Sequence, residues 1–387
     1  MKVQAAGLTS TPLDSSRFLD NSHQALNDKN LQEKMRFMGT ALPAMRKKHF
    51  ESVDNFDELR GFIKRMKNHT LRHLDHYLKQ YEERLIANGG QLHWATSGDE
   101  VNDIVLGICQ QHNAKTVAKG KSMVTEETGL SAFLEQHQLQ VTETDLGEYI
   151  VQIAGQRPSH IVGPALHMSV EEIRQLFLDN HDLGERDLST PELLVREARG
   201  ILRERFINAD VGIIGANAVI AESGSTMLVT NEGNGDLCSL IPKVQIVVTT
   251  IDKLVPRPED AMSILRVLVR SVTGQAASSY TSFYSGPRQN GEADGPDEFH
   301  VILLDNHRSD LIGSKYQDML RCVRCAACLA HCPIYAAVGG HAYGSVYPGP
   351  MGSILTPLLN GLEDASDLAS ACTTCGRCTE VCNGDIP

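Results

Sequence analysis

Eight of the ten cysteines in this 387-residue chain fall in two runs near its C-terminus. They read Cys322-Val-Arg-Cys325-Ala-Ala-Cys328-Leu-Ala-His-Cys332 and Cys372-Thr-Thr-Cys375-Gly-Arg-Cys378-Thr-Glu-Val-Cys382. Both keep the Cys-x2-Cys-x2-Cys-x3-Cys spacing of bacterial two-cluster ferredoxins. Three thiolates at this spacing can wrap one face of a cubane, and the fourth, carried into a helix, points to the neighbouring cluster. The expected ligands are Cys322, Cys325, Cys328 and Cys382 for one 4Fe-4S cluster, and Cys372, Cys375, Cys378 and Cys332 for a second. The chemistry this implies is one-electron transfer.

Zinc fits poorly, since it takes separated Cys pairs round one tetrahedral ion. A thioredoxin-like disulfide fits poorly too, because it uses one Cys-x-x-Cys pair in a βαβ setting. Asn383 follows Cys382 where the bacterial signature has proline, a change expected to shape only the exit turn. Cys109 and Cys238 stand alone, and Cys109 lies in an apolar helical stretch that reads as core.

Other polar groups have two readings each. Lys119 and Lys121, beside Ser122, Thr125, Glu126 and Glu127, can form a pocket for a small carboxylate, or an exposed strand-to-helix turn. Glu143, Asp145 and Glu148 can act as paired acid and base, or make a solvated acidic loop. Asn231, Glu232 and Asn234 sit in a Gly-bearing turn where functional loops occur, though turn chemistry alone explains them. His69, His73 and His76 share a helix face, and surface placement explains them better than metal binding. Gly212 and Gly215 do not complete a G-x-G-x-x-G turn, which argues against a nicotinamide cofactor.

The elements that must position these groups follow from apolar periodicity. Leu59, Phe62, Ile63, Met66, Leu74, Leu78, Tyr81 and Leu85 keep a helical rhythm, giving a helical N-terminal arm over 1–88. Beyond Asn88-Gly89-Gly90, strand-like runs at 91–95, 115–118, 138–143, 245–250 and 300–305 alternate with helical stretches, including one opening near Ser97 and one over 259–272. Residues 210–231 alternate apolar and small side chains as in a buried sheet. The reading is an α/β domain over 89–310 with a largely buried sheet, then a small helical dicluster ferredoxin domain over 311–387. The Gly- and Pro-bearing stretch 285–297 reads as a loop within the α/β domain.

The formal net charge is −12, while residues 1–90 hold fifteen Lys/Arg against eleven Asp/Glu. Nucleic acid is an unsuitable partner for such a chain. The basic N-terminal part reads as a solvated helical face or as a contact for an acidic subunit. No apolar run is long enough for a membrane span or a signal peptide. A cytoplasmic protein is expected, with any membrane association peripheral and made through partners.

The segments KGKSMVTEETGL (119–130), ETDLGEYIVQIAGQRPSHIVGPALH (143–167), DVGIIGANAVIAESGS (210–225), VTNEGNG (229–235) and GPRQNGEADGPDEFHVILLDNHRSDL (286–311) closely resemble the lactate-utilisation protein B family, the iron-sulfur subunit of a bacterial lactate-oxidising system. The resemblance implies a lactate-utilisation domain of the sugar-isomerase and CoA-transferase-like α/β class, a dicluster ferredoxin module, and partner subunits that together oxidise L-lactate to pyruvate. The chain departs from the family at Asp236, where a basic residue is expected, and at Gly129-Leu130-Ser131. Relatives continue well past the fourth cysteine of the second run, so a shortened member or part of a longer chain is expected.

The expected function is an electron-transfer subunit passing single electrons through two 4Fe-4S clusters to an external acceptor. Lys121, Glu126, Glu127, Glu143, Asp145 and Glu232 are the candidates for a catalytic role, and L-lactate or another small anion is the small-molecule partner to expect. Flavin, if used, belongs to a partner or elsewhere in the complex, since no flavin site is recognisable. The rival reading is an iron-sulfur redox sensor or metabolite-binding protein without turnover.

Overall fold

The structure, a computed structural model, describes residues 14–51, 53–272 and 274–387. Ten strands occur among them: β1 (Gln91–Ala95), β2 (Thr116–Lys119), β3 (Gln140–Glu143), β4 (Val211–Ile214), β5 (Ala218–Ile220), β6 (Ser225–Thr230), β7 (Val244–Thr250), β8 (Leu254–Val255), β9 (Tyr280–Tyr284) and β10 (Glu298–Leu304). Six form one sheet in the order β1-β10-β7-β4-β2-β3, with every neighbouring pair parallel.

Parallel strands need crossovers, and helices supply them on both faces, so the central strands β4 and β7 are buried throughout. Alternation along β10 divides the core. Phe299, Val301 and Leu303 join the side covered by the Leu74–Ala87, Leu146–Ile153 and Pro191–Ile207 helices. Ile302 and Leu304 join the side covered by the Gly98–Gln111 and Leu130–Gln136 helices, where Cys109 is core as expected.

The stretch 210–231 does not stay in one sheet. After β4 the chain turns away, and β5 and β6 form an antiparallel hairpin within a second sheet ordered β8-β5-β6-β9. Asn217 fixes the departure: its backbone N–H bonds the Met227 carbonyl at 2.9 Å and its side chain accepts from the Val229 N–H at 2.9 Å. Residues 285–297 form the expected loop, with no helix or strand before β10.

The N-terminal helices divide their packing between the two parts of the molecule. In the Phe56–Arg72 and Leu74–Ala87 helices, Ile63, Tyr81 and Leu85 are fully buried, and Tyr81 reaches Thr226 of β6 at 3.3 Å. The Phe18–Asn27 and Lys29–Phe50 helices instead pack on the cysteine module, through Phe18 against Tyr343 and Met35 in a cluster with Leu329 and Tyr335. What reads as an arm is therefore a strap across both. Among the described residues no helix is long and apolar enough to cross a membrane.

Candidate functional site

The strand order reverses between β2 and β4: the chain proceeds outward from β2 to β3, then returns to β4 and builds β7 and β10 on the other side. At such a switch point the loops leaving adjacent strand ends diverge and open a crevice. Here that crevice is a cavity of about 360 Å³, bounded by Gly120, Lys121 and Ser122 after β2, Gly215 and Asn217 after β4, and Thr250 and Lys253 at the end of β7. Further parts of its wall come from Asn231 and Glu232, from Ile161 and Val162, and from Arg324, Cys325 and Tyr347 of the cysteine module.

Two glycines allow this closeness. A Cβ on Gly212 would meet the Cys238 carbonyl oxygen at 1.7 Å, and one on Gly215 would lie 2.7 Å from Ser122 Oγ. Ser122 is the N-cap of the Met123–Glu127 helix, so these glycines serve backbone approach.

The lysine pair splits. Lys119 is fully buried away from the cavity, held by Glu143 at 2.9 Å and Glu126 at 3.1 Å. Glu148 is buried beside them with one carboxyl oxygen lacking a hydrogen bond, and burial pushes its pKa well up. Burial also raises the Glu143 pKa, against the pull of Lys119. The acidic group is thus neither a solvated loop nor a wall of the cavity, apart from Asp145. That carboxylate accepts from Lys121 Nζ at 2.9 Å and caps the Leu146–Ile153 helix through the N–H groups of Gly147 and Glu148. Lys121 lines the cavity, also donating to the Val162 carbonyl at 3.2 Å. Glu232 lies exposed at its rim.

Glu127 takes part in a buried polar network beneath the cysteine module. Arg308 grips it with two hydrogen bonds of 3.0 and 2.7 Å, Asn306 donates at 2.7 Å, and the Tyr347 hydroxyl donates to the same carboxylate. Burial alone would raise the Glu127 pKa, but Arg308 brings it below the usual carboxylate value. Arg308 Nε lies 3.2 Å from Asp252, and Arg324 lies 3.7 Å from the other oxygen of Asp252 and stacks over the Tyr347 ring.

Lys253, Arg324, Asn217 and Tyr347 were not singled out by motif. The rule that α/β sites gather beyond the carboxyl ends of strands would have found Lys253, three residues past β7. His69, His73 and His76 form an aromatic group with Tyr77, whose hydroxyl lies 2.9 Å from His69 Nε2.

The two cysteine runs repeat one backbone path. In the first, Arg324 and Ala326 have positive φ; in the second, Thr374 and Gly376 do, and a short helix follows each, Ala327–Ala330 and Arg377–Val381. The thiols group across the runs. Cys328 feels Cys322, Cys325 and Cys382, while Cys332 feels Cys375 and Cys378. Burial, reinforced by those neighbours, raises the Cys328 pKa and pushes Cys382 to about 11. Binding to a cationic metal centre would stabilise such crowded buried thiols as thiolates.

Backbone N–H groups already point at sulfur: Thr374 to Cys372 at 3.3 Å, Ile386 to Cys382 at 3.4 Å and Tyr335 to Cys332 at 3.5 Å. The residues therefore fit iron-sulfur binding. No three His, Cys, Asp or Glu among the described residues are spaced for one shared metal ion, and a cubane takes its thiolates at the corners of a larger body.

Asn383 does more than shape a turn. It is fully buried and donates to Cys325 Sγ at 3.3 Å and Ser271 Oγ at 2.5 Å. Part of the basic N-terminal excess is spent nearby. Arg46 donates to the Val381 carbonyl at 2.9 Å, Arg60 to the Cys382 carbonyl at 2.9 Å, and Lys64 pairs with Asp385 at 2.7 Å. Asp236, one departure from the family pattern, accepts from Tyr284 at 2.7 Å and from Ser282, both on β9.

A LUD domain model matches residues 78–304, and a 4Fe-4S dicluster domain model matches residues 318–386. Lactate utilization protein B from Geobacillus sp. (strain WCH70) is 45% identical over 338 residues, covering 87% of this chain and 71% of its own. The Bacillus licheniformis protein of that name is 42% identical, over 95% of this chain and 76% of its own, and the Bacillus subtilis (strain 168) one is 44% identical over 87% and 70%. A solved DUF162 family protein from Deinococcus radiodurans aligns with 60% of this chain and 98% of its own at 16% identity, with a TM-score of 0.32, too loose a likeness to carry argument. With a LUD domain, a 4Fe-4S dicluster domain and this identity over most of its length, the chain belongs to the lactate utilization protein B family.

Proposed function

We propose that this chain is the iron-sulfur electron-transfer subunit of a complex that oxidises L-lactate to pyruvate, delivering electrons singly to an acceptor outside the chain. When bound, two 4Fe-4S clusters supply neighbouring one-electron carriers. The ligands we assign are Cys322, Cys325, Cys328 and Cys382 for one, and Cys372, Cys375, Cys378 and Cys332 for the other. The grouping of thiols across the two runs supports that division.

One observation carries the reading: the two runs face different surroundings. Cys325 lines the cavity at the switch point, whereas Cys372 and Cys375 are exposed. A relay needs one end at the source of electrons and the other within reach of a docking partner. The N–H donors and Asn383 favour added negative charge on the sulfurs, and the Arg308–Glu127 pair braces Tyr347 beneath the first run.

Lactate oxidation releases two electrons and two protons, so a two-electron carrier such as flavin must divide them. We place that carrier on another subunit of the lactate-utilisation system or elsewhere in the complex, and an acceptor at a membrane would be reached through such partners. Of the acid–base candidates, Lys121, Asp145 and Glu232 adjoin the cavity, while Glu126, Glu127 and Glu143 are held in internal ion pairs.

Anaerobic purification with iron counting and EPR tests the reading, followed by L-lactate with and without partner subunits. About eight irons per chain and reduction only with partners present are expected. Fewer than about six irons, or clusters never reduced by lactate with partners, overturns it.

A further inference from the structure

Lys253 is a buried cation with no counter-charge in direct contact among the described residues. Its residue is only 8% exposed, it lines the cavity, and its ammonium makes no hydrogen bond or ion pair with the described residues. Asp252 and the Cys322 thiol act on it from farther away, and Asp252 is already engaged by Arg308 at 3.2 Å and Arg324 at 3.7 Å. The other cations of the wall differ in how far they are committed. Lys121 is held by Asp145 at 2.9 Å, whereas Arg324 has only longer contacts to Asp252 at 3.7 Å and to the Cys322 carbonyl at 3.5 Å, and lies beside the Cys322 thiol.

An ammonium removed from water with no counter-charge in direct contact is costly, and a bound anion offsets that cost. Part of the wall is aliphatic: Ile161, Val162, Leu228, Val269 and Val272. An inorganic anion would leave that surface uncovered, whereas a carboxylate with a short hydrocarbon tail satisfies both. Asn217 also lines the cavity, and its side-chain oxygen is taken by the Val229 N–H, which leaves its amide N–H groups for a hydroxyl or keto oxygen. The cavity, about 360 Å³, exceeds what a three-carbon acid fills.

We propose that this cavity binds 2-hydroxy and 2-oxo carboxylates, with the carboxylate on Lys253 and Arg324, and that its aliphatic wall accepts side chains longer than the methyl of lactate. The proposal deepens the lactate-system reading and rests on it for the choice of acid, but it concerns binding alone.

The test is titration calorimetry on the full chain, purified anaerobically with its clusters, using L-lactate, pyruvate, 2-hydroxybutyrate, 2-hydroxyisocaproate and inorganic phosphate. The carboxylates should bind, the longer acids within about tenfold of lactate, and phosphate more weakly. Lys253→Met should weaken acid binding roughly tenfold to a hundredfold. Lys253→Arg should recover most of it. Iron content and thermal midpoint of Lys253→Met should not fall, because the change removes an unpaired buried charge. Absence of binding by every acid, phosphate binding as tightly as lactate, or unchanged affinity in Lys253→Met would each overturn the proposal. Binding with no cluster reduction in the presence of partners would retain this site and sink the electron-transfer reading; reduction that ignores Lys253 would do the reverse.

Discussion

The side-chain amide of Asn383 donates to the sulfur of Cys325 across 3.3 Å, joining residues 58 positions apart. Its oxygen in turn accepts from Arg46 at 3.4 Å, which orients the amide with its N–H toward sulfur. Donors to a cluster sulfur stabilise the reduced, more negative state, so they raise the reduction potential.

Asn383→Ala should therefore lower the midpoint potential of one cluster, by an amount on the order of tens of millivolts, and leave the other unchanged. An EPR-monitored redox titration reads this directly. Equal shifts in both clusters would instead point to a general loosening of the module.

The crossed ligand assignment makes an unusual demand on single variants. Cys382→Ser, in the second run, should disturb the cluster held by the first run, and Cys332→Ser the reverse. Each should retain roughly half the iron, with the two surviving EPR signals distinct from one another. If Cys382→Ser erased the same signal as Cys375→Ser, the crossing would be wrong.

Arg308 and Glu127 form a bidentate pair that is almost wholly buried, with side-chain exposures of 0% and 6%. Removing one partner strands the other charge, so Arg308→Met should destabilise the fold by about 3–5 kcal/mol. The double variant Arg308→Met/Glu127→Met should recover much of that loss. Urea unfolding followed by circular dichroism would show whether the double variant is the more stable of the two.

His160 predicts a pH dependence. Its Nδ1 accepts from the N–H groups of Val162 and Gly163 at 3.0 and 3.2 Å, a geometry that requires the neutral ring. Burial, helped by nearby Lys121, lowers its pKa to about 4. A folded-state pKa below the unfolded value of about 6.5 means the unfolded chain binds the proton first as pH falls. This stabilising contribution is complete above about pH 6.5 and is lost progressively toward pH 4, about 2 kcal/mol of it by pH 5. His160→Gln should flatten that slope in denaturation measured at pH 7 and pH 5; an unchanged slope would reassign the acid sensitivity elsewhere.

Some of this molecule was determined by its sequence alone, because the relevant physics is local. The cysteine spacing encodes a turn followed by a short helix, and both runs adopt it. The pattern Leu59, Ile63, Met66 encodes a helix face, and β1, β7 and β10 are legible as short β-rich runs between turn signals. Ser97 announces the helix it caps.

What only the tertiary structure decided depends on residues far apart in the chain. Lys119 and Lys121 are two positions apart and identical in type, a spacing that would put both on one face of a continuous strand, yet β2 ends at Lys119 and the chain leaves the sheet at Gly120, so one becomes a buried counter-ion and the other a cavity wall. Lys253 carries no motif, and its importance comes from the strand order that places the end of β7 beside the switch point. Asn383 looks like a lost proline until the fold brings Ser271, Arg46 and Cys325 round it. Spacing along the chain specifies which atoms can bind a cluster; only long-range packing specifies what surrounds them, because burial and charge are properties of neighbours in space.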